Sequence, residues 1–199
     1  MAANTKEVRV GGTGRVLVAP ANTPVPDATG DLSPVWSDLG LTNEEGVTFT
    51  KADSLEAVQS WQHTAPVRLA YSEREFTVTF ALLQINRHTL SFFFGDPGAS
   101  TENGTTRASL SAAPQPDERA LLVEFSDGDV LSRFVIPRGM VTESEDVQIT
   151  RSAAVQLNVT FQAITPSQNP HDMVVWLTHD AGQDGGEEEP AASPAPAAT

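Results

Sequence analysis

Several stretches of the chain alternate strictly between apolar and polar positions, the mark of strands with one buried face. In "REFTVTFALL", Phe76, Val78 and Phe80 fall on one side and Glu75, Thr77 and Thr79 on the other. "GVTFTK" sets Val47 and Phe49 against Thr48 and Thr50, and "RVLVA" adds another strand after the glycine-rich "GGTG". The longest alternation is "VQITRSAAVQLNVTFQA". Its odd positions run from Val147 and Ile149 through Arg151 and Ala153 to Val155, Leu157, Val159, Phe161 and Ala163. Its even positions include Gln148, Thr150, Gln156, Asn158, Thr160 and Gln162. A single strand of that length far exceeds the usual five or six residues, so the run either bends near "RSAA" or belongs to an unusually tall sheet.

"RALLVEFSDGDVLSRFVIP" predicts a hairpin turning at Asp127-Gly128, a dipeptide suited to a type I′ turn because both central residues need positive φ. Leu121, Val123 and Phe125 then share a face with Val130, Ser132 and Phe134, and Glu124 lies diagonally from Arg133 on the other. One helix stands out, from Asn86 to Phe94, with Asn86 as N-cap, Leu90, Phe93 and Phe94 as its apolar stripe, and Gly95 closing it. "SLEAVQS" has a helical alternative, set against the β-like context around Trp61. Residues 173–178 offer a last strand. These elements predict a mainly β fold, a β-sandwich or part-barrel with one short flanking α-helix.

Between the strands lie a proline-rich connection over 19–35 and a long Gly/Ser/Thr/Pro loop over about 95–118, of a length usually functional or mobile. Residues 180–199 lack apolar periodicity and read as a disordered acidic and Ala-Pro tail. The chain has 199 residues, enough for one domain with a real core. No apolar run is long enough for a membrane helix, and the N-terminus lacks the apolar region of a signal peptide. The absence of cysteine removes disulfides, thiolate catalysis and Cys-based zinc sites, and it suits a reducing cytoplasm.

Net charge is −14. The terminal segment 180–199 holds five acids and no base, so nine of the fourteen net negative charges remain on residues 1–179. Such a surface repels a phosphate backbone, which argues against a protein that grips nucleic acid but not against one that lets it pass.

Catalytic signals are weak. In "GGTGRVL" the third glycine of a dinucleotide fingerprint is replaced by Leu17, and no helix pattern follows. His63, His88, His171 and His179 lack metal-ligand spacing, and "TESED" reads as a solvated turn. The triplets at Asn103 and Asn158 match a glycosylation acceptor, but no secretory signal accompanies them. Trp61 and Trp176 are read first as core residues, with interface anchors as the alternative.

A larger pattern emerges from order and spacing. "GGTGRVLVAP", a proline-rich connection, "VWSDLGLTNEEGVTFTKADSLEAVQSWQ" and "REFTVTFALLQINRHTLSFFFG" together resemble the major tail proteins of long-tailed, siphovirus-type bacteriophages, the subunits of the tail tube. The resemblance covers about residues 8–165. It implies two β-sheets and one flanking helix, assembled as hexameric rings that stack around a lumen through which genomic DNA passes. Some members carry a further immunoglobulin-like domain, for which this chain offers no counterpart.

On this reading the tail tube domain spans 1–179, with an N-terminal arm over about 1–14 and a C-terminal extension over about 165–179. The strand from Tyr71 to Leu82 turns its apolar side inward. Lumen-facing candidates are Glu73, Glu75, Thr77, Thr79, Gln148, Thr150, Gln156, Asn158, Thr160 and Gln162. A face without cations or stacking platforms is what sliding DNA requires, although residue type alone fits the solvent side of an ordinary sandwich equally well.

The resemblance further implies a structural virion protein with no enzymatic role and no cofactor. Its expected partners are copies of itself, the tape measure protein and the tail terminator, with no membrane involved. It places the protein in the phage tail, assembled in the host cytoplasm. Two alternatives are a tail terminator or neck ring protein and an unrelated ligand-binding β-sandwich module. A sugar-binding module would usually show more exposed aromatics than one Tyr and three Trp supply.

Overall fold

The computed structural model describes residues 7–181. Its strands are β1 (Thr13–Pro20), β2 (Ser37–Asp38), β3 (Thr42–Ser60), β4 (His63–Leu82), β5 (Ser100–Glu102), β6 (Thr105–Arg107), β7 (Arg119–Asp127), β8 (Val130–Ser144), β9 (Leu157–Ala163) and β10 (Val175–Asp180), with one helix, α1 (Arg87–Phe94). One antiparallel sheet runs β2-β1-β7-β8-β9-β4-β3, and β10 joins β8 beside its hairpin end. β5 and β6 form a separate small hairpin.

The sheet curls so that its two halves share a core, as a part-barrel does. Val16 and Val18 of β1, Leu121 and Val123 of β7 and Ile136 of β8 pack in one cluster with Val78 and Phe80 of β4 and Val159 and Phe161 of β9. A second, smaller cluster lies on the outer face of β1, β7 and β8. There Leu17, Leu122 and Val135 meet Trp36 and the proline-rich connection.

The helix forms where its caps predict. Asn86 Oδ1 accepts from the backbone N–H of His88 and Thr89, and the Asn86 N–H donates to Thr89 Oγ1 at 2.9 Å, so two orphan donors are satisfied reciprocally. Gly95 ends the helix at φ 61°, in the left-handed region. The deeply buried ring is Phe92 rather than the predicted stripe, lying between Phe80 and Phe161 at centroid distances of 6.0 and 5.9 Å. Leu90 and Phe93 are half-buried at its margin. With eight residues, the helix turns little more than one face inward, and Thr89 and Phe92, three apart, define that face.

The β7–β8 hairpin differs from expectation in its turn. Asp127 pairs with Val130, so Gly128 and Asp129 are the central residues and only Gly128, at φ 58°, has positive φ. This shift leaves the shared apolar face intact but brings Glu124 directly opposite Arg133. Arg133, almost fully buried, donates to Glu124 Oε2 at 2.7 Å, and Arg15 donates to the other oxygen at 2.8 Å. Arg133 also donates to the backbone carbonyl of Asp27, which ties the proline-rich connection to the sheet. Pro137, which has no N–H for the ladder, sits at the register irregularity opposite Arg119–Leu121.

Three further sequence readings change. "SLEAVQS" is strand throughout, part of β3. Trp61 stands fully exposed at the β3–β4 turn, between Ser60 and His63, out of reach of any core. Trp176, on β10, is more than half exposed while meeting Phe125 and Phe134 edge to face. Asn103 and Gly104 form the β5–β6 turn, both at positive φ, so this Asn-Gly pair has a structural role. β10 runs through Asp180, one residue into the segment read as tail. The remainder of that segment, 182–199, lies outside the described residues.

Candidate functional site: a cation-free sheet face and a projecting hairpin

The period of two in β4 places Glu73, Glu75, Thr77 and Thr79 on one face and Phe76, Val78 and Phe80 on the other. Register extends that polar face across its neighbours. On β3, Ser54, Ala52, Thr50 and Thr48 pair with Glu73, Glu75, Thr77 and Thr79. On β9, Gln162 and Thr160 pair with Thr77 and Thr79, and Asn158 pairs with Ala81. On β8, Glu143 pairs with Thr160.

Contacts across this face are loose. Thr79 and Thr160 hydroxyls are 3.5 Å apart, and Gln162 Nε2 approaches Glu75 Oε1 at 3.5 Å. No lysine or arginine stands at any of these positions. In this part of the two strands the cations, Lys51 and Arg74, lie on the opposite face, while Arg68 stands farther out on β4, opposite Val58. Arg74 Nε donates to Asp53 Oδ1 at 2.6 Å, and Lys51 Nζ lies 2.7 Å from Asp53 Oδ2. Arg74 first, and Lys51 second, hold the Asp53 carboxyl below the usual carboxylate range. This face is therefore mainly threonine, glutamine and asparagine with a few carboxylates, joined by Ser54, Ala52 and, opposite Gln162, Met140.

Seven of the ten sequence candidates thus come together on one sheet face. The other three do not lie on it as strand residues. Gln148, Thr150 and Gln156 belong to 145–156, which is irregular between β8 and β9. With Glu145, Asp146 and Asn158 they line a hollow of about 550 Å³ at the end of the face.

The run bends at Arg151–Ala153, one of the two alternatives its length allowed, and 145–156 forms no strand for a reason of register. Glu145 N–H donates to the Asn158 carbonyl, so a continued hairpin would set Val147 opposite Gln156 and Ile149 opposite Ala154. Each face would then mix apolar and polar residues, and burial would select neither. Sequence reasoning passed over Thr48, Thr50 and Glu143 as site residues, although the alternation in "GVTFTK" marked the two threonines.

A second feature is the outer half of the β3–β4 hairpin. From Ser54 to Ser72 nearly every residue is exposed on both faces. Leu55 pairs with Tyr71 and Ala57 with Leu69, so apolar residues cluster on one side. Leu55, Val67, Leu69 and Tyr71 are each about half exposed or more. At about 3.3 Å per residue this arm reaches roughly 20 Å beyond the core. Side chains held so far out stay wet unless another chain covers them, and among the described residues β3 pairs only with β4.

Those traits define a β-structured assembly subunit. The family model for phage tail tube protein matches residues 1–189, and the chain belongs to that family. Its members are structural components of the virion tail and assemble with themselves into a tube. No curated protein sequence matches the chain.

Proposed function

We propose that this protein is the repeating subunit of a siphovirus-type tail tube. Six copies close into a ring, the rings stack, and the polar face of β3, β4, β9 and β8 forms the inner wall through which DNA is ejected into the host. The observation that carries this reading is the face itself. Glu73, Glu75, Thr77, Thr79, Asn158, Thr160 and Gln162 share one surface without a cation or an aromatic ring. Phosphates passing such a wall are weakly and evenly repelled, so nothing arrests them.

The hairpin favours stacked rings over a single terminator ring, because its apolar side needs a partner beyond the subunit's own layer. Gln148, Thr150 and Gln156 belong to the mouth of the same channel. The tape measure protein occupies the lumen during assembly in the host cytoplasm, and the tail terminator caps the last ring. The protein has no catalytic role and needs no cofactor.

Glu75→Lys tests this reading. It adds one cation per subunit to the wall, away from the apolar face of Val78 and Phe80, so tubes should still form. DNA ejection should slow and should partly recover at higher ionic strength, where the new contacts are screened. Fully assembled mutant virions that eject at the normal rate in low salt would refute an inner position for this face.

A further inference from the structure

We propose that Val147–Thr150 adds as a strand to a second copy of the chain, seating Val147 and Ile149 in the groove between β1 and β3. The inference rests on the self-assembling role proposed above and names the surfaces that join one copy to the next. The donor is a segment whose sequence is more β-like than its structure. Val147 and Ile149 alternate with Gln148 and Thr150, yet no ladder among the described residues takes them up, and Ile149 is 83% exposed.

The acceptor is a gap in the barrel wall. β2 pairs with β1 only at Leu17 and Val18 and the Leu39 N–H donates to the Val16 carbonyl, which leaves Thr13–Arg15 without a strand on that side among the described residues. β3 has no strand partner but β4 among the described residues. Between these two open edges lies a groove of about 290 Å³ lined by Gly11, Gly14, Val16, Val47, Phe49 and Phe125. Thr13, Arg15 and Thr42 line it beside these apolar residues, and most of the two facing edges has no strand partner among the described residues. Such a slot suits a strand with small to medium apolar side chains at every second position. Space remains beside two of its glycines, since a Cβ built at Gly46 would meet nothing within 4 Å and one at Gly11 only Phe125, at 3.9 Å.

The 145–156 segment cannot fill the groove of its own chain. In the sheet order, β8 is separated from β3 by β9 and β4 and from β1 by β7, so the 145–156 segment leaves the wall opposite the gap. Donor and acceptor are different surfaces, which makes the contact heterologous. Repetition of such a contact closes a ring or winds an open helix, and it leaves no self-limited dimer. In the ring, each copy's 147–150 strand closes the wall of its neighbour.

The chain contains no cysteine, so an engineered pair reports the contact directly. In the Ile149→Cys/Gly11→Cys variant, oxidation should give disulfide-linked multiples of the 21.2 kDa chain extending beyond a dimer, which neither single variant gives. Ile149→Asp should melt as wild type, because the side chain is exposed, yet need at least tenfold more protein to assemble. Gly11→Leu, which fills the groove from the other side, should do the same. An Ile149→Asp chain that assembles at wild-type concentration, or an assembled double-cysteine variant that oxidises without a ladder, overturns this inference while leaving the tube reading standing. A wild-type chain that remains monomeric at every concentration overturns both.

Discussion

The inner and outer halves of the β3–β4 hairpin are built from the same two strands and behave in opposite ways. In the inner half, Val47, Phe49, Val78 and Phe80 are covered by β1, β7, β9 and α1, and the opposite face is polar. In the outer half, Leu55, Val67, Leu69 and Tyr71 also gather on one side, but nothing among the described residues covers them. Between the two halves, Asp53 is held by Arg74 and Lys51, just before the register shift at Ser54–Leu55. The difference teaches that alternation specifies a strand with a face to bury and leaves open which molecule buries it.

That contrast is sharpest under substitution. Phe80→Ala removes a buried ring that stacks on Phe92, and losses of this kind are about 3–5 kcal/mol. In a domain of this size that amounts to a fall in melting temperature of roughly 6–20 °C, measured by calorimetry on the unassembled chain. Leu69→Asp, in the outer half, should leave the monomer's melting temperature within about 1–2 °C of wild type, as exposed substitutions do. It should instead abolish tubes in negative-stain images. If Leu69→Asp destabilised the monomer as much as Phe80→Ala, the two halves would not differ as described.

A smaller loss is expected at the helix that covers the inner half. Asn86→Ala removes the acceptor for two backbone N–H groups and should lower stability by about 1 kcal/mol in chemical denaturation. The smallest effect concerns acid. The Asp53 carboxyl is depressed in the folded chain by Arg74 and Lys51, and Glu118 is depressed by Arg138. A carboxylate with a lowered folded pKa adds stability above its unfolded value, and that stability is lost as pH falls through the folded value. Stability should therefore be flat near neutrality and decline below about pH 4, with Asp53→Asn flattening part of the decline. Because both carboxylates are solvent-screened, the change is modest and is best read as a difference between variant and wild type.

Much of this was legible in the sequence where a local rule governs. The capping residues gave α1, since Asn86, Thr89 and Gly95 act within one turn of chain. The alternation in β4 and β9 placed Glu75, Thr77, Thr79, Thr160 and Gln162 on one face, because a strand buried on one side has a single register that suits it. What failed depended on distance. Trp61 looked like a core residue because tryptophans usually are, but nothing local says that β3 and β4 outrun the rest of the sheet. Residues 147–155 looked like strand because their pattern is, yet a pattern needs a neighbour with matching parity, and the fold back into β9 supplies the wrong one. The turn at Gly128-Asp129 shifted by one residue from the expected pair, because it needs positive φ only at its first central position, which Gly128 supplies.

The most direct test is a helical cryo-electron microscopy reconstruction of the assembled tube at side-chain resolution. The expected map places Glu75, Thr77 and Thr79 at the smallest radius, with Val78 and Phe80 pointing outward into the subunit core and the Leu55–Tyr71 side of the hairpin covered by an adjacent ring. A map with those threonines on the outer surface, or with the hairpin's apolar side open to solvent in the finished tube, would contradict it.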